Sequence, residues 1–215
     1  MKAQGTATDL PARLRTATHA LHTQAERSGV MPALLAGRLP QARYVHLLAS
    51  LHAIYAALEE ALAARQRDPR LIALGAPGLA RRAALEADLS RLHGPHWGAE
   101  VGVAAAATAY AARLRALAAA GAPALGAHAY VRYLGDLHGG QALARVVARA
   151  YALPGAAGTD FYRFGTEVEL PQRRAALRAA LAALPLTAPE ADAFVAEACW
   201  GFEQHVRLFE ELAAA

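Results

Sequence analysis

Cysteine is all but absent. Cys199 stands alone in 215 residues, which excludes an intramolecular disulfide and any site built on paired thiolates. Isoleucine is nearly missing too, occurring only at Ile54 and Ile72, while Ala, Leu and Arg dominate. Those three lose little side-chain freedom in a helix, so the composition points to an all-α fold. The opening MKAQGTATDLPARLR has no apolar central run and does not read as a secretory leader. Val101 to Ala112, read as the longest weakly polar stretch, falls far short of the ~20 residues needed to span a bilayer. A cytoplasmic chain with no membrane association is the expectation. No HExxH pattern and no Asp, Glu and His cluster at zinc-like spacing is present, which leaves a bare-metal site without support.

What is present is arginine, which carries almost all of the positive charge behind the net +4. The arginines are spread along several helical segments, with few aromatics among them. Nucleic acid is one partner for a basic chain, but a small anionic ligand or an acidic protein fits this spread equally well. The length suits one domain with a real core, and no repeat, low-complexity tail or linker divides it. Residues 1–215 therefore read as a single domain, with 1–8 a flexible N-terminus.

Along the chain, Asp9 and Pro11 open a helix whose apolar positions Leu14, Ala17, Leu21 and Ala25 recur at helical spacing, and Ser28-Gly29 stops it. A short helical piece, Met31 to Leu35, leads to Pro40, which opens a long helix to about Arg67. Its buried stripe is expected to be Leu47, Leu48, Leu51, Ile54, Tyr55, Leu58 and Leu62. Breaks at Asp68-Pro69 and Gly75 to Gly78 bound a short segment. Further helices are predicted over Leu79 to Leu92, Ala104 to Ala120, Ala127 to Leu153 and Glu167 to Leu184, with Phe161 to Gly165 irregular. Thr187-Ala-Pro-Glu190 forms a capping box that opens a terminal helix to about Leu212.

Two segments carry more than helix-forming residues. Arg15, His19, His22 and Glu26 are spaced by four, three and four, so they share one helical face at the edge of the core. Glu26 lies one turn beyond His22 and can accept from Nδ1, leaving Nε2 as a ligand. With one strong candidate histidine, haem with a single protein axial ligand is more plausible than a bare metal. The spacing alone also fits a solvated polar face with a fortuitous His–Glu pair. The second segment is Tyr130-Val-Arg-Tyr-Leu-Gly135-Asp136-Leu-His138-Gly139-Gly140. Three glycines inside a helix each cost about 1 kcal/mol relative to Ala. Gly135 and Gly139 are i, i+4 and strip one helix face of side chains, so backbone can approach a flat ligand. Close helix–helix packing is the competing explanation, and a solvent-facing charge the competing one for Asp136.

HTQAE around His22 and YVRYLGDLHGGQAL from Tyr130 to Leu143 together resemble the haem oxygenase family. The likeness continues through LASLHAIYAALEEAL (48–62) and RLFEEL (207–212), covering nearly the whole chain in order. It implies a single-domain helical bundle with haem b held between a proximal and a kinked distal helix, and cleavage of haem to biliverdin, carbon monoxide and ferrous iron. By matching position, His22 would be the axial ligand and Glu26 its hydrogen-bonding partner. Gly135 and Gly139 would lie against the haem face, leaving room for dioxygen tilted towards a meso carbon. Asp136 would hold a distal water network, with Tyr55 and Arg132 as helpers. Arg15, Arg174, Arg178 and Tyr130 would meet the propionates, and His19 falls where the family often has another basic residue. His138 departs from the family's usual Ser; it could join the water network, while helix direction argues against iron ligation. His205 matches a position where other members carry a polar contributor to that network. His46, His52, His93, His96 and His128 receive no assignment.

The resemblance also implies external electrons, from a ferredoxin, flavodoxin or reductase-type donor, and a possible bilin acceptor such as a phytochrome. Ring opening usually falls at the α-meso position in the family. The alternative is a haem-binding or haem-sensing protein on the same scaffold without turnover.

Overall fold

The computed structural model describes residues 9–75, 78–155 and 157–214. Residues 1–8, read above as a flexible N-terminus, lie outside these, as do Ala76 and Pro77 within the Gly75–Gly78 break. No strand occurs among the described residues.

Helix α1 (Leu10–Arg27) begins where expected: the Asp9 carboxylate accepts from the Ala12 amide at 3.2 Å, with Pro11 in the first turn. It ends at Ser28, after which Gly29 turns with φ +50°. A Cβ on Gly29 would fall 1.8 Å from the Phe209 carbonyl oxygen, so this crossing admits only glycine. The short α2 (Met31–Leu35) follows. Helix α3 (Gln41–Ala64) buries the whole predicted stripe from Leu47 to Leu62 and forms the centre of the bundle. The uncharged run of α3 between Arg43 and Glu59 is longer than Val101 to Ala112, which corrects the expectation about the longest such stretch. An 18-residue window of it reaches a mean hydropathy of 1.3, long and apolar enough to cross a membrane by composition, but 61 % of that window is buried inside the fold.

Against α3 pack α4 (Arg82–Leu92) and, after a one-turn helix α5 (Trp97–Glu100) that periodicity does not reveal, α6 (Ala105–Ala119). A single α-turn, α7 (Ala127–Ala129), runs into a π-helical stretch, Tyr130–Leu134, and on into α8 (Gly135–Ala150). The predicted helix from Ala127 thus exists, but with a π-helical insertion immediately before the glycines. Helix α9 (Glu169–Ala182) precedes α10 (Ala188–Ala214), which lies along α1. The capping box of α10 forms as predicted: Glu190 accepts from the Thr187 amide at 2.8 Å, and Thr187 Oγ1 accepts from the Glu190 amide at 3.4 Å.

Buried polar contacts join α6, α7 and α10. Tyr110 donates to His128 Nδ1 at 2.8 Å, and His128 Nε2 then donates to Glu197 at 3.2 Å. Arg113 donates twice to the same carboxylate, at 3.0 and 2.6 Å. Burial opposes the Glu197 charge, but the hydrogen bonds from His128 and Arg113 outweigh it and hold the carboxyl down to about 2. Burial, only partly offset by Glu197, keeps His128 below the ordinary 6.5. Unfolding returns these groups to ordinary values near 6.5 and 4.5, so the unfolded chain binds more protons as pH falls. Stability should therefore decline below about pH 6.5 and faster below about 4.5. Glu197→Gln should lower the urea midpoint at neutral pH yet lose less than wild type on further acidification. Midpoints that fall in parallel for the two proteins would show that Glu197 plays no part in the acid response.

Candidate active site

His22 and Glu26 stand on an exposed face of α1, as do Arg15 and His19. The His22 ring meets Phe202 of α10 edge-on, with centroids 5.7 Å apart. Its Nδ1 lies 3.8 Å from Glu26 Oε1, an ion-pair distance but beyond a hydrogen bond, so the predicted Nδ1–H to Glu26 bond is not made here. Phe202 was not singled out from the sequence. Its signal is the series Phe202, His205, Phe209 at helical spacing on α10, all of which face the same cleft.

Facing α1 across that cleft is the start of α8. Its glycines divide into two kinds. A Cβ built on Gly135 or Gly139 meets nothing within 4 Å, so these two are not packing against a neighbouring helix, and that explanation for them falls. A Cβ on Gly140 would lie 3.4–3.5 Å from Tyr162, and there close packing does apply. The π-helical stretch Tyr130–Leu134 immediately precedes Gly135; such insertions are frequent at functional sites.

Between the two walls lies a cavity of about 340 Å³, lined by His22, Glu26, Gly135, Asp136 and Gly139 and floored by apolar residues such as Leu51. An adjoining lobe of about 150 Å³ shares His22, Gly135 and His138 and adds Tyr130. An apolar slot with an imidazole on one wall and a helix bare of side chains on the other fits a flat macrocycle with a central metal. No cluster of three or more His, Cys, Asp or Glu able to hold a bare metal ion occurs among the described residues.

Asp136 sits at the deep side of the slot as the hub of a network. Tyr55 donates to Oδ2, and Arg132 Nη2 donates to both carboxylate oxygens at 3.2 and 3.3 Å. Arg132 Nη1 donates to His205 Nε2 at 2.7 Å. His205 must therefore carry its proton on Nδ1, which donates to the Gly201 carbonyl at 2.7 Å. Burial, reinforced by the Arg132 guanidinium, keeps His205 neutral, well below the usual histidine range. For Arg132, burial works against the charge, but Asp136 and Tyr55 outweigh it and push the guanidinium above its ordinary value. Burial raises Asp136 above the usual carboxylate range, with Arg132 opposing. The carboxyl is thus a better proton holder than an exposed one. Tyr55 and Arg132 join Asp136 as expected, and His205 has a defined place behind Arg132.

Of the basic candidates, the structure gathers some and not others. Tyr130 donates to Thr18 Oγ1 at 3.0 Å, and Thr18 in turn donates to the Leu14 carbonyl at 2.8 Å. Burial raises Tyr130, with Thr18, Arg15 and Arg178 opposing. Arg178 Nη2 donates to His138 Nε2 at 2.9 Å, and His138 Nδ1 donates to the Leu134 carbonyl at 2.6 Å. Arg174 has a buried Nε without a hydrogen-bond partner among the described residues. Arg15, Arg174 and Arg178 make no ion pair among the described residues. Of these candidates Tyr130 lines the adjoining lobe, while Arg15, His19, Arg174 and Arg178 line neither it nor the main cavity.

A helical bundle with a flat apolar slot between an imidazole-bearing helix and a glycine-lined one defines a tetrapyrrole-binding protein. The family model described as "Heme oxygenase" matches residues 8–211, and the chain belongs to that family. It is 35 % identical to heme oxygenase 1 of Synechocystis sp. over 95 % of this chain and 85 % of that protein. To heme oxygenase 1 of Rattus norvegicus it is 36 % identical, over 96 % of this chain and 72 % of the rat protein. The crystal structure of heme oxygenase-1 from Synechocystis sp. PCC6803 in complex with heme superposes with a TM-score of 0.91 at 35 % identity, covering 96 % of this chain and 93 % of that one. Heme oxygenase from Leptospira interrogans superposes with a TM-score of 0.90 at 32 % identity, over 95 % of this chain and all of that one.

Proposed function

We propose that the cleft between α1 and α8 takes haem b with His22 as its axial ligand, and that the chain, a haem oxygenase, opens it oxidatively to biliverdin, carbon monoxide and ferrous iron. One juxtaposition carries this reading: an imidazole with no hydrogen bond among the described residues faces, across an apolar slot, two glycines whose missing side chains leave open space. Haem supplies both the iron that activates dioxygen and the meso carbon that is oxidised. The chain supplies position and electrostatics. Gly135 and Gly139 would leave room for dioxygen over one face of the ring. Asp136, held by Tyr55 and Arg132, would order water there and hold a proton for delivery. Glu26 sits beside His22, ready to orient its ring once Nε2 is engaged. Tyr130 lines the adjoining lobe and Arg178 is hydrogen-bonded to His138 there; these, with Arg15 and Arg174 from outside the cleft lining, would meet the carboxylates of the ring.

The described residues act as one domain in this reading. Electrons come from a ferredoxin, flavodoxin or reductase in the cytoplasm, and an acidic donor suits the net +4 of the chain. A bilin acceptor such as a phytochrome could take the product. Neither nucleic acid nor a membrane is called for.

An aerobic absorption time course of the haem complex with a reductant or ferredoxin system tests the proposal. The Soret band should decay while a biliverdin band grows. A Soret band that persists with every donor would leave a haem carrier or sensor on the same scaffold and end the enzymatic reading.

A further inference from the structure

We propose that His138 is a positioning residue which, by holding Arg178, fixes the rotation of the macrocycle within its own plane and so selects the meso carbon that is opened. The inference rests on the reading above that Arg178 meets a carboxylate of the ring.

A single axial bond from His22 leaves the ring able to turn about the bond, and Gly135 and Gly139 opposite present no side chain to stop it. The rotation must be set at the edge, by a group held still. An arginine on an exposed helix is not still by itself, because its long side chain keeps many rotamers.

His138 supplies the restraint. It projects from α8 into the same lobe as His22 and Gly135, three residues beyond Gly135 and one before Gly139. Its Nδ1–H is anchored on the Leu134 carbonyl at 2.6 Å, which fixes the tautomer and leaves Nε2 with a lone pair. That lone pair accepts from Arg178 Nη2 at 2.9 Å, bridging α8 to α9 over 40 residues of chain. The restraint is neutral, and this matters. A carboxylate here would hold the guanidinium equally well but cancel its charge. A neutral imidazole holds it while leaving the full charge and the remaining N–H donors for an anion. Arg178 has no acidic partner among the described residues that would compete. With both ring nitrogens of His138 engaged by protein, it is a holder of arginine and not a ligand to iron.

The test compares wild type with His138→Ala, His138→Gln and Arg178→Ala. Both side chains removed, His138 and Arg178, are exposed, so folding should survive. Biliverdin isomers are separated by chromatography after turnover. In His138→Ala and Arg178→Ala the minor isomer should rise roughly tenfold against the major one, the scale on which a hydrogen bond to a charged group acts. His138→Gln, whose amide oxygen can accept from Arg178, should return the ratio towards wild type. An unchanged ratio in His138→Ala overturns the proposal. Two readouts do not depend on turnover. In haem-free protein, nitrogen NMR should show His138 as the Nδ1–H tautomer with Nε2 shifted in Arg178→Ala; an Nε2–H tautomer overturns the clasp. In the cyanide-bound haem complex, haem methyl proton shifts report the in-plane orientation, which should be single in wild type and mixed in His138→Ala. Orientation that follows His138 in a protein that makes no biliverdin would uphold the clasp while removing the enzymatic reading.

Discussion

The His22→Ala variant is expected to weaken haem binding by about 100-fold or more and to abolish biliverdin formation, since loss of even an outer partner can cost a metal site up to about 100-fold. Three imidazoles line the cleft, and their hydrogen bonds separate them. His205 donates to the Gly201 carbonyl and accepts from Arg132, and His138 donates to the Leu134 carbonyl and accepts from Arg178. Among the described residues, His22 alone of the three has no hydrogen bond, with Glu26 at 3.8 Å. Ligation through the other two would first require a protein hydrogen bond to break.

The variant also separates chemistry from folding. The His22 side chain is 51 % exposed, and removing an exposed side chain rarely shifts stability by more than ~0.5 kcal/mol. The melting temperature of the haem-free protein should therefore stay near that of wild type while the Soret position and haem affinity change. Imidazole added to solution should restore part of the wild-type spectrum, because the vacated position opens to solvent. A His22→Ala protein with unaltered haem spectrum and affinity would move the axial ligand elsewhere, with His138 the first alternative to examine.

How much of this could be read without coordinates differs between elements. The ends of α1 and α10 were legible because their signals are local: Asp9 and Pro11 at one start, Thr187 to Glu190 at the other, and Ser28-Gly29 at a stop. The glycine segment was legible as an anomaly, since glycine in a helix needs a reason. What distinguishes Gly135 and Gly139 from Gly140 is which neighbour each faces, and that depends on Tyr162 arriving from a later turn. The π-helical stretch at Tyr130–Leu134 was hidden because one extra residue per turn barely alters the apolar period. Side-chain partners were the least legible. Tyr130 finds Thr18 across 112 residues, Arg132 finds His205 across 73, and Arg178 finds His138 across 40. Each was a candidate by position, but its partner is decided by how helices pack, and no spacing along the chain encodes that. The Glu26 contact shows the converse: one helical turn brings it near His22, yet rotamer choice leaves the pair short of a hydrogen bond.

Asp136→Asn should keep haem affinity within a few-fold of wild type but lower the rate of biliverdin formation by about 100-fold or more, the range over which a positioned proton-transfer group contributes. The substitution preserves size and leaves one oxygen to accept from Tyr55 or Arg132. It replaces the other acceptor by an NH₂ facing two donors, and it removes the site's ability to hold and release a proton. Since Asp136 does not touch the His22 side of the slot, affinity should be little affected. Asp136→Ala should look different in stability. It strips Arg132 of its only carboxylate among the described residues, leaving a guanidinium 10 % exposed with the neutral His205 as its remaining hydrogen-bond acceptor there. Breaking a buried pair from one side typically costs ~3–5 kcal/mol, and the opening of this one to the cleft argues for the lower end. Denaturation of the two variants beside haem titration and product yield resolves the roles: loss of turnover in both with loss of stability only in Asp136→Ala assigns the proton to the carboxyl and the anchoring to its charge. Near-wild-type turnover in Asp136→Asn would instead mean that Asp136 only anchors Arg132 and Tyr55, and that the proton reaches the oxygen by another route.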